Sequence, residues 1–192
     1  MNRALLVALL LTVALGCGPG PSNQGPDAAG DVGPPPFDTL AGCVGRAATT
    51  PRTIDEAIAI INTLPRPVSI ARFIASLPRP LNLVATSSSL SAQPAHGRRS
   101  PRIFLMTSQL VISIVPAGPG VDLLEFGEWV EGTRTLKAEI EFPVTELLPP
   151  DAGYTRVRRG EMLTSCGLCH RGEVEHPTIA GATNIETEVF ED

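Results

Sequence analysis

Hydrophobic residues fall into three regimes along the chain. Residues 4–15 are apolar apart from Thr12, residues 18–36 hold scarcely an apolar side chain, and from Phe37 onward apolar and polar positions recur with recognisable periods. In the third regime Thr53-Ile54-Asp55-Glu56 reads as a capping box, with the Thr53 hydroxyl accepting from the third helical amide while Glu56 reaches back. Ile54, Ala57, Ile58, Ile61 and Leu64 follow at helical spacing, and Pro65 stops the helix. Residues 68–77 predict a second short helix, with Ile70, Ala71, Ile74 and Leu77 available for burial and Pro67 in its first turn. The sequence Leu-Pro-Arg-Pro begins at both Leu64 and Leu77; it reads as two helix stops of one design rather than as a proline-rich ligand.

The period changes to two from Leu81. Residues 135–142 alternate, with Leu136, Ala138, Ile140 and Phe142 on one face and Thr135, Lys137, Glu139 and Glu141 on the other, as in a half-buried strand. Residues 81–87, 102–106, 110–115 and 122–130 are further apolar, β-branched runs separated by turn residues such as Gly118, Gly120 and Gly132. Two helices followed by about five strands predict an α+β domain: an antiparallel meander or small β-sandwich with a helical cap. Trp129 is expected to fill its core with Phe104 and Phe126, and Glu125, Glu128 and Glu131 to lie on a solvated face. After Pro143 the pattern loosens into a turn at Pro149.

The first two regimes concern address. Asn2 and Arg3 precede an apolar stretch of about a dozen residues, too short for a hydrocarbon core that needs about twenty, so it reads as a signal peptide rather than a span. Val13-Ala14-Leu15-Gly16-Cys17 resembles the lipobox of bacterial lipoproteins, with Leu15 and Ala14 in exchanged order. That resemblance implies cleavage before Cys17 and a lipid on its thiol. Gly18, where an aspartate would favour inner-membrane retention, implies the outer membrane or the periplasmic face of the envelope. An ordinary secretory signal cut nearby is the alternative. Residues 18–36 cannot bury enough surface to offset ordering entropy and read as a tether reaching on the order of 25 Å. The predicted organisation is therefore a signal peptide (1–16), a lipidated tether (17–36), a β-rich domain with a helical cap (37–150) and a C-terminal segment (151–192).

Composition narrows the function classes. The formal net charge of −5, with no long block of like charge, argues against nucleic acid as a partner. Fourteen arginines stand against one lysine, a bias read here as base composition without functional meaning. No phosphate-binding glycine loop, nucleophile elbow or two-histidine zinc helix occurs, so hydrolase and kinase chemistry have no foundation in the sequence.

One motif carries chemistry. In Cys166-Gly167-Leu168-Cys169-His170 the spacing C-x-x-C-H lets two thiols add across the vinyl groups of a haem while the adjacent imidazole reaches the iron. The stretch resembles the haem-attachment segment of c-type cytochromes; that resemblance implies thioether anchors at Cys166 and Cys169 and the proximal ligand at His170. Covalent haem c is attached outside the cytoplasm, so the export signal and the motif support each other. Twenty-two residues follow His170 and none is methionine, so the chain lacks the rest of a cytochrome c domain. A sixth ligand would be His176, Met162, Met106 or nothing, with His176 marginally first among these candidates, although an exposed tail histidine is at least as good a reading of it. Arg98, Arg99 and Arg102 read as haem-propionate partners or as an exposed basic turn, and His96 as a surface residue.

Two other readings of the cysteines stay open: a disulfide between Cys166 and Cys169, and a zinc or other metal site completed by Cys43 or His176. Cys43 is otherwise a buried small hydrophobe or a link to another chain. With Ser100-Pro101-Arg102-Ile103-Phe104-Leu105 leading into the meander and one terminal C-x-x-C-H, the whole chain resembles bacterial lipoproteins carrying a single cytochrome-c motif. The resemblance implies a monohaem electron-transfer or haem-sensing protein with a redox partner and a lipid-anchored membrane address. The alternatives are a non-redox envelope binding or structural lipoprotein, and metal capture. Enzymatic activity is expected only if the iron has an open position.

Overall fold

Thr53 Oγ1 accepts from Glu56 N at 3.1 Å, and α1 (Ile54–Thr63) begins there. The computed structural model describes residues 42–186 except 90, 92, 160–162, 171, 180 and 181; the signal peptide, Cys17, the tether and Met162 lie outside the described residues. Glu56 Oε2 accepts from Arg52 N at 2.7 Å, so the reciprocal half of the box closes one residue upstream of the cap. Ile54, Ala57, Ile58 and Ile61 are buried, as the spacing requires. The second helix, α2 (Ile70–Ser76), starts later than its apolar spacing suggested because Ser69 supplies a cap, its hydroxyl accepting from Arg72 N at 3.1 Å. Pro67 thus precedes the helix, and Val68 exchanges two backbone bonds with Val144, at 2.8 and 2.9 Å.

The fold is α+β. Five strands form the expected meander: β1 (Leu83–Thr86), β2 (Arg102–Met106), β3 (Leu110–Ile114), β4 (Leu123–Glu131) and β5 (Arg134–Glu141), each antiparallel to the next. A short helix α3 (Ala152–Val157) follows, then β6 (Arg158–Arg159), β7 (Leu163–Thr164), a 3₁₀ turn (Ser165–Leu168), β8 (Val174–Glu175) and β9 (Thr183–Glu186). β9 pairs with the free edge of β5 and β8 with β9, so the sheet order is β1-β2-β3-β4-β5-β9-β8. Residues 151–192 are therefore not a mere tail: their last described strands extend the sheet. Among the described residues no helix is long and apolar enough to cross a membrane.

All three helices contribute to the core on one face of this sheet. Leu105, Leu110, Ile112, Leu124, Leu136, Ala138 and Ile140 meet Ile54, Ile61, Phe73, Leu77 and Tyr154 there. Each such side chain contributes roughly 1.5–3 kcal/mol on burial. Gly153 lets α3 approach β5 closely, since a Cβ at that position would stand 2.8 Å from Ala138 Cβ.

Period two runs through β4 from Leu123 to Trp129, ahead of a register shift between Trp129 and Glu131, and corrects two expectations. Leu124, Phe126 and Glu128 face the core while Glu125, Gly127 and Trp129 face the other way, because one pleat alternates sides whatever the side-chain chemistry. Glu128, 9% exposed, is therefore buried rather than solvated, and Trp129, 39% exposed, is not in the core. Phe104 likewise lies on the second face, its strand partner there being Ser113. Glu128 Oε2 accepts from Ile54 N at 2.8 Å, satisfying an orphan amide of the first turn of α1 from across the core. Burial pushes the Glu128 carboxyl above the ordinary value of 4.5, against the pull of that amide.

Glu128→Ala leaves the Ile54 amide without its partner and should cost about 1–3 kcal/mol in denaturant unfolding. The pH dependence has a definite sign. Glu125, Glu128 and Glu139 all have raised folded-state pKa values, chiefly from desolvation, so the native state holds protons that the unfolded chain has lost. Stability should fall as pH rises from about 4.3, the unfolded value, through the raised folded values. Glu128→Gln keeps an oxygen for Ile54 and removes one titration, so its stability profile should be shallower; an unchanged slope would contradict the assignment.

Candidate functional site

The second face of the sheet is built from the residues that alternate away from the helices. Across the strands, Phe104, Ser113, Glu125 and Glu139 form one register row, and Val111, Gly127 and Lys137 the next. Trp129 pairs with Thr135 in a third. The alternation in β5 left Lys137 and Glu139 on the polar side; solvent was the expected neighbour. Instead the C-terminal segment passes over this face. Ser165, Cys166, Cys169 and His170 close a cavity of about 500 Å³ against Phe104, Val111, Gly127, Trp129 and Lys137, among others. That volume lies in the range of small-molecule and cofactor sites.

The motif is fixed locally before it meets the sheet. Thr164 Oγ1 caps the 3₁₀ turn by accepting from Cys166 N at 3.2 Å. Cys169 N and His170 N then donate to Cys166 O at 3.1 and 3.0 Å, which tightens the five residues into one turn. Glu173 locks this turn to the sheet. Its Oε1 accepts from Thr164 N at 3.0 Å, from Thr164 Oγ1 at 2.5 Å and from Thr183 Oγ1 at 2.7 Å. A chain of donors thus runs from Cys166 N–H through the Thr164 hydroxyl to a carboxylate held by the first residue of β9. Gly167 leaves room beneath it, since a Cβ there would displace the Glu173 carboxylate at Oε2.

Charges on the cavity wall are partly paired. Arg102 donates from Nε to Ser113 Oγ at 2.7 Å, from Nη1 to Ser91 Oγ and from Nη2 to Glu125 Oε2, with its guanidinium 5.0 Å from the Phe104 ring centre. Burial raises the Glu125 carboxyl while Arg102 draws it down, and the other oxygen, Oε1, is buried without a hydrogen-bond partner. Burial drives the Lys137 ammonium below its usual range, opposed by Cys166 and Glu125. Desolvation pushes the Cys166 thiol up to about 11 despite the bond from Thr164 and the charge of Lys137. Such a thiol is a poor nucleophile at neutral pH. The arrangement therefore does not suit thiol–disulfide exchange, and both Cys166 and Cys169 are free thiols.

The donor set fits a covalently held haem in its chemistry. Two thiols and one imidazole, all from one turn, line the same cavity, and Phe104, Val111 and Trp129 offer it apolar surface. Among the described residues no group of three or more His, Cys, Asp or Glu side chains is arranged to hold a metal ion directly. The other residues singled out from the sequence are dispersed. His176 does not line the cavity: its Nδ1 accepts from Thr178 N at 3.3 Å and Ile179 N at 3.1 Å, which caps a turn. Met106 shares the second face by register with Val111 but is not among the cavity's lining residues. His96, Arg98 and Arg99 are exposed, and only Arg102 of the basic group reaches the cavity. Cys43 is buried and half of a disulfide. Lys137, Gly127, Glu125 and Glu173 carried no signal in the sequence beyond the uniqueness of Lys137 and the alternation of β5.

In reduced, haem-free protein, Cys166 should react with iodoacetamide roughly tenfold more slowly at neutral pH than a thiol of ordinary pKa, because its displacement from 9.0 to about 11 depletes the thiolate while making it a stronger nucleophile. Glu173→Ala frees Thr164 and should bring the rate toward that of the unfolded chain. A wild-type rate equal to the unfolded rate would mean that the motif turn is not seated on the sheet.

Comparisons with protein-family models, with curated proteins and with solved structures return no match, so the function rests on the chemistry of this cavity.

Proposed function

We propose that this protein is an exported, lipid-anchored carrier of one covalently attached haem c, working in electron transfer or haem-based sensing at the outer membrane or the periplasmic face of the envelope. The observation that carries the reading is the convergence of Cys166, Cys169 and His170 on one cavity beneath the sheet. Cys166 and Cys169 would hold the group by thioether bonds and His170 would bind the iron, supplying one-electron redox chemistry or, with an open position, binding of a small molecule. The chain's own part is positional. Glu173 and Thr164 hold the motif in one conformation, the sheet excludes water from one side of the cavity, and Trp129, 39% exposed at its rim, leaves an edge that a partner protein can approach.

The alternative for the address is an ordinary secretory signal cut near Cys17, in which case the protein is secreted and the same haem works without a lipid anchor.

Two measurements test these statements. Expressed with the haem-attachment machinery, the denatured protein should give a c-type pyridine haemochrome, and Cys166→Ala with Cys169→Ala should abolish the covalent haem; a colourless wild type contradicts the proposal. Intact mass of the mature protein should exceed that of the chain from Cys17 by one haem and one diacylglyceryl group. A mass that includes the haem and lacks the diacylglyceryl group selects the secreted form.

A further inference from the structure

The cavity contains the sole lysine of the sequence, which otherwise uses arginine at all fourteen of its long cationic positions. An arginine remains charged under all conditions in proteins, whereas a lysine buried away from water can lose its proton and offer a nitrogen lone pair. The position of this residue is built for it. Lys137 pairs with Gly127 across β4 and β5, and a Cβ at Gly127 would come within 3.2 Å of Lys137 Nζ. The missing side chain thus leaves the space in which the amine lies, at the floor of the cavity, between Val111 and Gly127 in the same register row and the motif turn above.

The carboxylates beside it each have a guanidinium at one oxygen, while Glu125 Oε1 keeps no hydrogen-bond partner. Glu125 is bound by Arg102, and Glu139 has Arg156 Nε at 4.0 Å. Among the described residues Lys137 itself makes no hydrogen bond or ion pair, an expensive arrangement for a buried cation. Groups left in that condition are over-represented at sites that bind something. Of the other donors considered, Met162 lies outside the described residues, and His176 and Met106 are placed away from the cavity. His176 accepts two backbone amide protons at Nδ1, so its own proton is on Nε2 and its lone pair is not available to a metal. Met106 does not line the cavity.

Building on the haem reading above, we propose that Lys137 is the sixth ligand of the iron, its amine approaching from the sheet while His170 binds from the motif turn on the other wall. On ligation the ammonium gives one proton to solvent, the nitrogen lone pair forms the bond to iron, and the oxidation state of the iron does not change. Arginine cannot fill this role, which accounts for the one departure from arginine in the sequence.

The test uses full-length protein matured with haem, in the ferric state, read by optical absorption and electron spin resonance. Wild type should be six-coordinate and low-spin. Lys137→Ala and Lys137→Arg, the second keeping bulk and charge, should both become high-spin while their denatured haemochromes stay at wild-type intensity. His176→Ala should leave the low-spin spectrum unchanged. A high-spin wild type overturns the assignment, as does a low-spin spectrum that survives in Lys137→Arg or is lost in His176→Ala. The haem reading fails by a different sign: no haemochrome in the wild type, which removes the ligand assignment with it.

Discussion

The edge of β5 would be open but for β9, whose backbone pairs with it antiparallel through Arg134 with Glu186, Thr135 with Ile185 and Leu136 with Asn184. An open strand edge offers unpaired amides and carbonyls to any other chain, so covering it is a condition of a well-behaved sheet. To reach that edge the chain must return from α3, and on the way it crosses the face of the sheet that the helices leave bare. The motif sits in this crossing. Glu173 ties the crossing to the first residue of the edge strand, so sheet completion and placement of the motif are one structural event. The haem reading, the unreactive thiol and the seclusion of Lys137 all depend on it.

The two faces of the sheet are stabilised by different physics. On the helix side, apolar side chains interdigitate, and the buried acid Glu128 accepts the first amide of α1. On the other side Glu125, Lys137 and Glu139 are largely removed from water, and Glu125 Oε1 has no hydrogen-bond partner. Buried charge of that kind costs several kcal/mol per ion unless paired. A face kept for folding alone would be better served by aliphatic residues. The retained charges, the two thiols and the imidazole make this side the candidate functional one.

Much of the helix side was legible in the sequence. Thr53-Ile54-Asp55-Glu56 announces α1, and the alternation from Thr135 to Phe142 identifies both the strand and its core face. Two failures have physical causes. Ranking residues by hydrophobicity put Trp129 inside and Glu128 outside, whereas the pleat fixes sides by parity and Leu124 and Phe126 already set it; a long-range cap then makes the buried carboxylate acceptable. The polar face of β5 was read as solvated because alternation says which residues share a face and nothing about what covers it. The C-terminal segment was illegible for a related reason. Strands of two residues and a six-residue helix produce no period, and their positions are set by contacts such as Glu173 to Thr183 that composition does not reveal. The motif itself was plain at Cys166, Cys169 and His170; the cavity it closes was not.

The motif turn lies over the sheet with Lys137 beneath it, and the single lysine makes this placement directly measurable. Protein grown with ¹³C-labelled lysine has one set of side-chain signals. In the haem-free, reduced state the ε-methylene of Lys137 should show nuclear Overhauser contacts to the α-protons of Gly127 and the β-protons of Cys166. A narrow, solvent-like lysine signal without those contacts would contradict the placement of the motif and the cavity built upon it.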